Sequence, residues 1–371
     1  MTDQELLYRM AIARLLPLEA EKHVSLLREL GSATAVYEQR HHLRDILSHS
    51  AWRVADALAS MDSVLPRCEE ELAYTRAHKI RILALGDADY PARLAEADDA
   101  PLLLYYLGKG NLNATHIVSV VGTRRCTERG RELCAHFAAD LQRMVPDTLI
   151  VSGLAYGIDI AAHRAALAAG LPTVGVLAHG LDQVYPRMHR DTAIEMLRTG
   201  GLLTEYMSHT TPEKVNFVQR NRIVAAMSDA VVVVESAARG GSLITAELAF
   251  GYSRDVFAFP GRPSDAASAG CNTLIRSTKA TLIQSAADFV ESMGWEVQPP
   301  CAESQQTDLF PNLTPDERAI VSALHGTDGL SLTQLCETLA LPVASLMSLL
   351  SALEMRGIIS TLPGNRFCVK R

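Results

Sequence analysis

Hydrophobic positions recur at helical spacing through the first 76 residues: Leu6, Leu7, Met10 and Leu15, then Val24, Leu26, Leu27 and Leu30 ahead of Gly31, a helix stop. No strand signal interrupts them, so residues 1–76 are expected to form a small all-helical domain. From Ile80 the pattern turns extended, with Ile80–Leu85 and Leu102–Leu107 flanking a turn-rich stretch at 86–91. From Thr115 short β-branched runs alternate with segments of helix length. Ile117–Val121, Leu149–Val151, Thr173–Leu177, Leu202–Thr204, Ala230–Val234, Val256–Phe259 and Thr281–Ile283 predict strands. Glu128–Met144, Ile158–Ala169, Phe217–Met227 and Ser242–Tyr252 predict the helices between them. Near-continuous apolar strands in βαβα alternation belong to a parallel sheet covered on both faces, which makes 113–290 a Rossmann-like α/β core. With the extended stretch before it, this domain runs 80–290.

Residues 295–312 hold Pro299-Pro300 and the acids Glu296, Glu303 and Asp308 without a Lys or Arg, the composition of a solvated linker. Thr314 then suits an N-cap and Pro315 the first helical position. Helical segments Pro315–His325, Ser331–Leu339 and Val343–Arg356 precede extended Gly357–Thr361 and Arg366–Val369. Three helices and a terminal hairpin predict a winged-helix domain over 313–371.

Composition narrows the class. The 371 residues are 48% hydrophobic and 21% charged, a globular balance, and aromatics are scarce at 5%. A net charge of -7 excludes a uniformly basic, histone-like binder, but not a local basic groove, because the field at a site is set by the patch. No apolar stretch approaches a membrane span, and the opening Met1-Thr-Asp-Gln-Glu5 has no basic and apolar leader, so a cytoplasmic protein with no membrane partner is expected. The seven cysteines contain no C-x-x-C pair and read as reduced thiols.

Ligands of open parallel sheets sit beyond the carboxyl ends of the strands, and here polar, glycine-rich segments follow strand after strand: Gly122–Arg125, Ser152–Gly157, His179–Asp182, Gly240–Ser242 and Pro260-Gly261. A dinucleotide fingerprint counted from Gly122 needs Gly at 124 and 127, where this chain has Arg124 and Thr127, and no Gly-Lys-Ser/Thr occurs anywhere. Arg124, Arg125, Arg129 and Arg131 stand against Glu128 alone, which suits either a phosphate clamp or an exposed basic helix start. Ser152-Gly153 leads to a helix N-terminus able to hold a phosphate on backbone N–H groups. Asp159 and His163, four apart on that helix, can hydrogen-bond, as a catalytic pair or, with no Ser, Cys or metal-ligand partner at motif spacing nearby, rather as a structural brace. Lys214, Phe217, Arg220 and Arg222 interleave cations with a ring, the parts of a single-strand nucleic-acid site, although Phe217 equally suits the first core position of a helix. Gly241 and Ser242 open another helix, with Ser242 a natural N-cap and either a second anion site or tight strand-to-helix packing as the reason for the glycines. His179, His189 and Glu235 lack metal-ligand spacing, and neither a metal nor a cofactor is expected.

At these residues the sequence resembles the DprA/Smf family of DNA-processing proteins. The resemblance is carried by Gly122-x-Arg124, Ser152 to Asp159 with His163, Gly180 to Tyr185-Pro186, Thr204-Glu205-Tyr206, Phe217 to Ile223, Gly241 to Ala246, Pro260-Gly261 and Gly270 to Ile275, in order over most of 80–290. Departures are Val218 and Ala226 where the family usually has Pro and Gly, Glu247 where a basic residue is common, Thr278-Lys279, and the stretch Met207–Pro212. The resemblance implies an N-terminal sterile-alpha-motif-like domain, a C-terminal winged helix and no established catalysis. It implies single-stranded DNA as ligand, a homodimer, and loading of the RecA recombinase during natural transformation, with Arg124, Lys214 and Phe217 touching DNA. Two rival classes remain open. A phosphoribohydrolase signature is partly met by Arg239–Glu247, with Leu243 and Ile244 in place of its Gly-Thr. A winged-helix transcription regulator would need a basic recognition helix, whereas Val343–Arg356 holds no Lys or Arg before Arg356, and 313–371 carries as many acids as bases.

Overall fold

Strands and helices of this chain sort by the period of their apolar residues. In the computed structural model, which describes residues 1–17, 19–297, 313–324, 329–339, 341–362 and 366–369, two compact units form, Met1–Pro300 and Cys301–Arg371. The first is built on nine strands: β1 (Arg81–Ala84), β2 (Leu103–Gly108), β3 (His116–Val121), β4 (Thr148–Ser152), β5 (Thr173–Val176), β6 (Gly201–Thr204), β7 (Ala230–Val233), β8 (Asp255–Ala258) and β9 (Thr281–Leu282). Their order across the sheet is β1-β2-β6-β5-β4-β3-β7-β8-β9. From β6 to β9 every pairing is parallel, and only β1–β2 and β2–β6 are antiparallel. The Rossmann-like α/β core is thus present, extended at one end by an antiparallel pair.

Because side chains alternate along a strand, one run feeds two cores. Val231 and Val233 pack on one face with Ile223, Val224 and Ala246, from helices Lys214–Ala226 and Gly241–Gly251. Ala230 and Val232 pack on the other with Phe137, Leu141, Ile158 and Phe289. Helix Glu128–Met144 starts where Thr127 accepts a hydrogen bond from the Gly130 N–H, and it buries Cys134, Phe137, Ala138 and Leu141, an i, i+3, i+4, i+7 face. The N-terminal helices, from Asp3–Leu15 to Leu65–Ala77, share their core with Ala84, Leu103 and Tyr105 of the antiparallel pair. Buried Glu71 adds a polar tie across the same contact, accepting from the Ser208 N–H at 2.9 Å, the Ser208 hydroxyl and Arg67.

The second unit is a winged helix: helices Pro315–Leu324, Leu332–Leu339 and Val343–Met355, with strands β10 (Leu330–Ser331), β11 (Ile359–Leu362) and β12 (Arg366–Val369) in the order β10-β12-β11. Thr314 and Glu317 cap the first helix reciprocally, each side chain accepting from the other's backbone N–H. Ile320, Leu335, Leu346, Leu350 and Phe367 form its core. From Gln298 to Asn312 the expected linker lies outside the described residues.

One expected contact is not made. His163 does not bond Asp159: its Nδ1 lies 2.7 Å from the Thr173 hydroxyl, which itself donates to the Ile150 carbonyl at 3.0 Å. The hydroxyl proton being spent, Nδ1–H is the donor, and the buried Nε2 has no partner among the described residues. Burial therefore pushes the imidazole down to about 3. The folded state keeps His163 neutral while the unfolded chain takes up a proton below about pH 6.5. Its contribution is thus complete above that pH and lost as pH falls towards 3. His163→Leu should narrow the difference in urea midpoint between pH 7 and pH 5 relative to the parent, and an unchanged difference would count against the assignment.

Candidate nucleic-acid interface

The chain lays down β3, β4, β5 and β6 in one direction across the sheet, then returns to place β7, β8 and β9 on the other side of β3. At such a reversal the loops after neighbouring strands diverge and open a crevice. Here the crevice has a volume of about 550 Å³ and is lined by the segments after β3, β4 and β7 and by helix Lys214–Ala226. Arg124, Arg125, Lys214, Arg220 and Arg239 line it against a single carboxylate, Asp159.

The loop after β3 is pinned from below. The Thr123 N–H donates to the Glu235 carbonyl at 2.7 Å, and the Thr123 carbonyl accepts from Ile158 N–H at 3.1 Å. The Glu235 carboxylate accepts from the Thr127 N–H and hydroxyl. Gly157 closes over this loop at φ 79°, where a Cβ would stand 2.1 Å from the Thr123 carbonyl oxygen. So held, Arg124 is exposed, with its Cζ 5.3 Å from the Phe217 ring centroid. The ring of Tyr185, 45% exposed, lies 5.9 Å from that of Phe217 at 60°.

The helix expected from Phe217 begins a turn earlier, at Lys214. That start places Lys214, Phe217, Asn221 and Val224 at i, i+3, i+7 and i+10 on one stripe along the cleft wall. Phe217 is half-buried and is not among the buried residues of the core. Arg220 is on the same wall but only 3% exposed, donating to the carbonyls of Gly153, at 2.7 Å, and Val176. It is the floor of the cleft, contributing charge from beneath. Burial is the larger effect on both Arg220 and Asp159, lowering the guanidinium and raising the carboxyl, with the opposite charge of each working against it.

Two expected ligands of a phosphate lie elsewhere. Arg222 is 7% exposed and donates to Glu205 at 2.5 Å and to the Asp99 carbonyl at 2.8 Å, outside the cleft. Ser152 is fully buried, its hydroxyl donating to the Val120 carbonyl at 2.6 Å, because the last residue of β4 faces inward. At the helix N-terminus beside it, the Ile158 and Ile160 N–H groups already donate to the carbonyls of Thr123 and Ala155, at 3.1 and 3.2 Å. Ser242 is not a cap: the helix starts at Gly241 with Gly240 before it, and the Ser242 hydroxyl donates to Ser236 Oγ at 2.9 Å. That first turn has no side-chain cap, and of its N–H groups Leu243 already donates to the Gly240 carbonyl at 3.2 Å.

Gly122, Arg124, Gly153, Lys214, Phe217, Arg220, Gly241 and Ser242 are therefore brought together, joined by Arg125, Arg239, Asn221 and Thr245, which the sequence reading did not single out as site residues. Arg125 lay inside the noted basic run. Arg239 was legible only as the residue before Gly240-Gly241. The side chains of Arg124, Arg125, Lys214 and Arg239 donate to no protein group among the described residues. Glu247 pairs with Lys279 at 2.7 Å and does not line the cleft. His179 and His189 are likewise spent on backbone groups of Gly180, Tyr185 and Leu154.

Fold and cleft define a Rossmann-like protein whose switch-point crevice offers guanidinium groups and a ring where dinucleotide-binding relatives offer bare glycine backbone, with a winged helix as a second unit. Residues 81–294 match the family described as DNA recombination-mediator protein A, and residues 304–365 match the DprA winged helix domain. The chain belongs to the DprA/Smf family. The putative DNA processing protein DprA of Mycobacterium tuberculosis is 38% identical over 275 residues, 74% of this chain and 70% of that protein. Protein Smf of Escherichia coli is 29% identical over 91% of this chain and 90% of its own length. The X-ray structure of DprA from Streptococcus pneumoniae superposes with a TM-score of 0.62 at 31% identity, covering 78% of this chain and 98% of that one. A structure of Helicobacter pylori DprA, described for its single-stranded DNA binding mode, gives 0.52 at 30% identity over 57% of this chain and 95% of that one.

Arg124 and Arg220 should separate by stability. Arg220→Ala leaves buried carbonyls without a charged donor and should cost about 2–4 kcal/mol, whereas Arg124→Ala should stay within about 0.5 kcal/mol of the parent. Chemical denaturation of both variants reads this directly, and equal stabilities would remove Arg220 from the floor.

Proposed function

We propose that this protein binds single-stranded DNA in the switch-point cleft, holds it without covalent chemistry, and delivers it as a homodimer to a recombinase of the RecA type. The observation that carries the binding step is the Arg124 guanidinium over the Phe217 ring at 5.3 Å, flanked by Lys214 on the same helix face. A cation track for the backbone beside a ring for a base is the equipment of sequence-tolerant single-strand binding. The ligand described for the Helicobacter pylori relative supports the same reading. Homodimer and recombinase partner rest on the family resemblance. Ile244, at the cleft wall and 42% exposed, stands where a phosphoribohydrolase would need its Gly-Thr phosphate loop, which favours binding over cleavage. Within the winged helix, Arg356 pairs with Glu317 and Arg366 with the Gly329 carbonyl, so that unit is read as accessory and not as the primary DNA reader.

Salt-titrated binding of oligothymidine is the direct test. Arg124→Ala should flatten the dependence of log affinity on log salt by about 0.7 for the one lost phosphate contact. Phe217→Ala should weaken binding by about 5- to 150-fold, the equivalent of one lost stacking platform, with Tm nearly unchanged, and Phe217→Trp should largely restore it. No binding by the parent protein, or an unaltered slope in a folded Arg124→Ala variant, would sink the proposal.

Deleting residues from 301 onward should leave a folded unit that still binds the strand, since Met1–Pro300 is compact by itself. A folded truncation that has lost binding would move the winged helix into the primary site.

A further inference from the structure

We infer that the DNA path does not stop at the switch-point cleft but continues into a second basic groove over the end of β8, where Arg129 and Arg262 take further phosphates of the same strand. This extension rests on the reading of the first cleft as a single-strand site. The groove is lined by Thr127, Arg129, Pro260, Gly261, Arg262 and Asp265. Thr127 is two residues from Arg125, which lines the first cleft, so lining residues of the two grooves stand at most about 7 Å apart, Cα to Cα, along one segment.

Its charge is available. Arg262 is exposed and donates to no protein group among the described residues. Arg129 is exposed as well and uses only one nitrogen, Nη2 to the Pro260 carbonyl at 3.1 Å, which steadies the loop while the rest of the guanidinium faces solvent. The one carboxylate in the lining is turned away onto its own loop: Asp265 accepts from the Ala267 N–H at 3.0 Å and the Ser268 hydroxyl at 3.2 Å. Glu128, next to Arg129 in the chain, is engaged by Arg131. Gly261 is fixed from below by Asn272, whose Oδ1 accepts from the Gly261 N–H while its Nδ2 donates to the Gly261 carbonyl. Two guanidinium groups against one carboxylate, Arg129 in the first turn of helix Glu128–Met144 and Arg262 on the braced loop after β8, with no aromatic side chain in the lining, suit a phosphodiester backbone and not a stacked base. Stacking stays with Phe217, and this groove lengthens the strand that the protein covers.

The test compares the full-length protein with Arg129→Ala/Arg262→Ala, and with Arg262→Glu alone, which leaves the Arg129–Pro260 bond intact. Two probes are used, oligothymidines of about 6 and about 16 nucleotides, bracketing the span one or two sites would cover. The short probe should bind parent and variants within about 2-fold, while the double variant should bind the long probe about 5- to 20-fold more weakly, with a salt slope lower by about 1.4 for two lost contacts. Arg262→Glu should weaken the long probe alone. Unchanged affinity and slope for the long probe, with the short probe still bound, overturn this inference and leave the first cleft standing. Failure of the parent to bind the short probe overturns both. Polyglutamate displacing the long probe from the parent but not from the variants would assign the groove to an acidic polypeptide and would also overturn it.

Discussion

A single buried guanidinium joins the parts on which the cleft depends. Arg220 reaches from helix Lys214–Ala226 to the carbonyls of Gly153, just past the end of β4, and of Val176, the last residue of β5. A Cβ at 153 would stand 2.5 Å from the guanidinium nitrogens, so any larger residue there would have to displace the Arg220 head group. The contact sets how far the helix stands from the sheet edge and how it is rotated. With that rotation Lys214 and Phe217 face the loop that carries Arg124. A desolvated cation is costly unless its donors find partners, and here two carbonyls take Nη1, Asn221 takes Nε, and the charge of Asp159 acts on the guanidinium as well.

The overall charge of the protein conceals this arrangement. A net -7 describes no region of the surface where the ligand would approach. Cations collect in the switch-point cleft and in the groove beyond it, while acids collect in a neighbouring depression lined by Glu21, Glu96, Asp98, Asp99 and Glu247, which shares Ile244 with the cleft wall. With a screening length of roughly 8 Å at physiological ionic strength, exposed charges act mainly on what lies directly against them. Segregation therefore lets an acidic protein present a cationic track. Glu247, the acidic departure from the family pattern, is offset by Lys279 rather than by a cleft arginine.

The remaining architecture buttresses that edge from a distance. The antiparallel strands β1 and β2 extend the sheet and give the N-terminal helices a surface on which to bury Ile12, Leu26 and Leu58. Glu71 fastens those helices to Ser208, in the segment between β6 and the helix that carries Phe217. The winged helix completes its own core and caps its own first helix, as a separate unit should.

Local periodicity was enough to write down much of this protein in advance. β-branched runs with helices between them specified the parallel core, Thr314 specified the start of Pro315–Leu324, and glycines after successive strands marked the ligand edge. The family, too, was legible, because its motifs are those same strand-end segments. Tertiary structure alone decided which cations meet in the cleft. Arg220 and Arg222 are two residues apart in one helix, about 200° around its axis, so the same basic run sends one beneath the cleft and the other to Glu205 and Asp99. Ser152 reads as a phosphate-loop serine until β4 aligns beside β3 and turns its hydroxyl to Val120. His163 reads as a partner for Asp159 until Thr173 of the next strand arrives as a nearer one. In each case the deciding partner lies elsewhere in the chain, 10 residues away for His163, 32 for Ser152 and up to 123 for Arg222. Sequence spacing sets which face a side chain takes, and only the packed fold sets what that face meets.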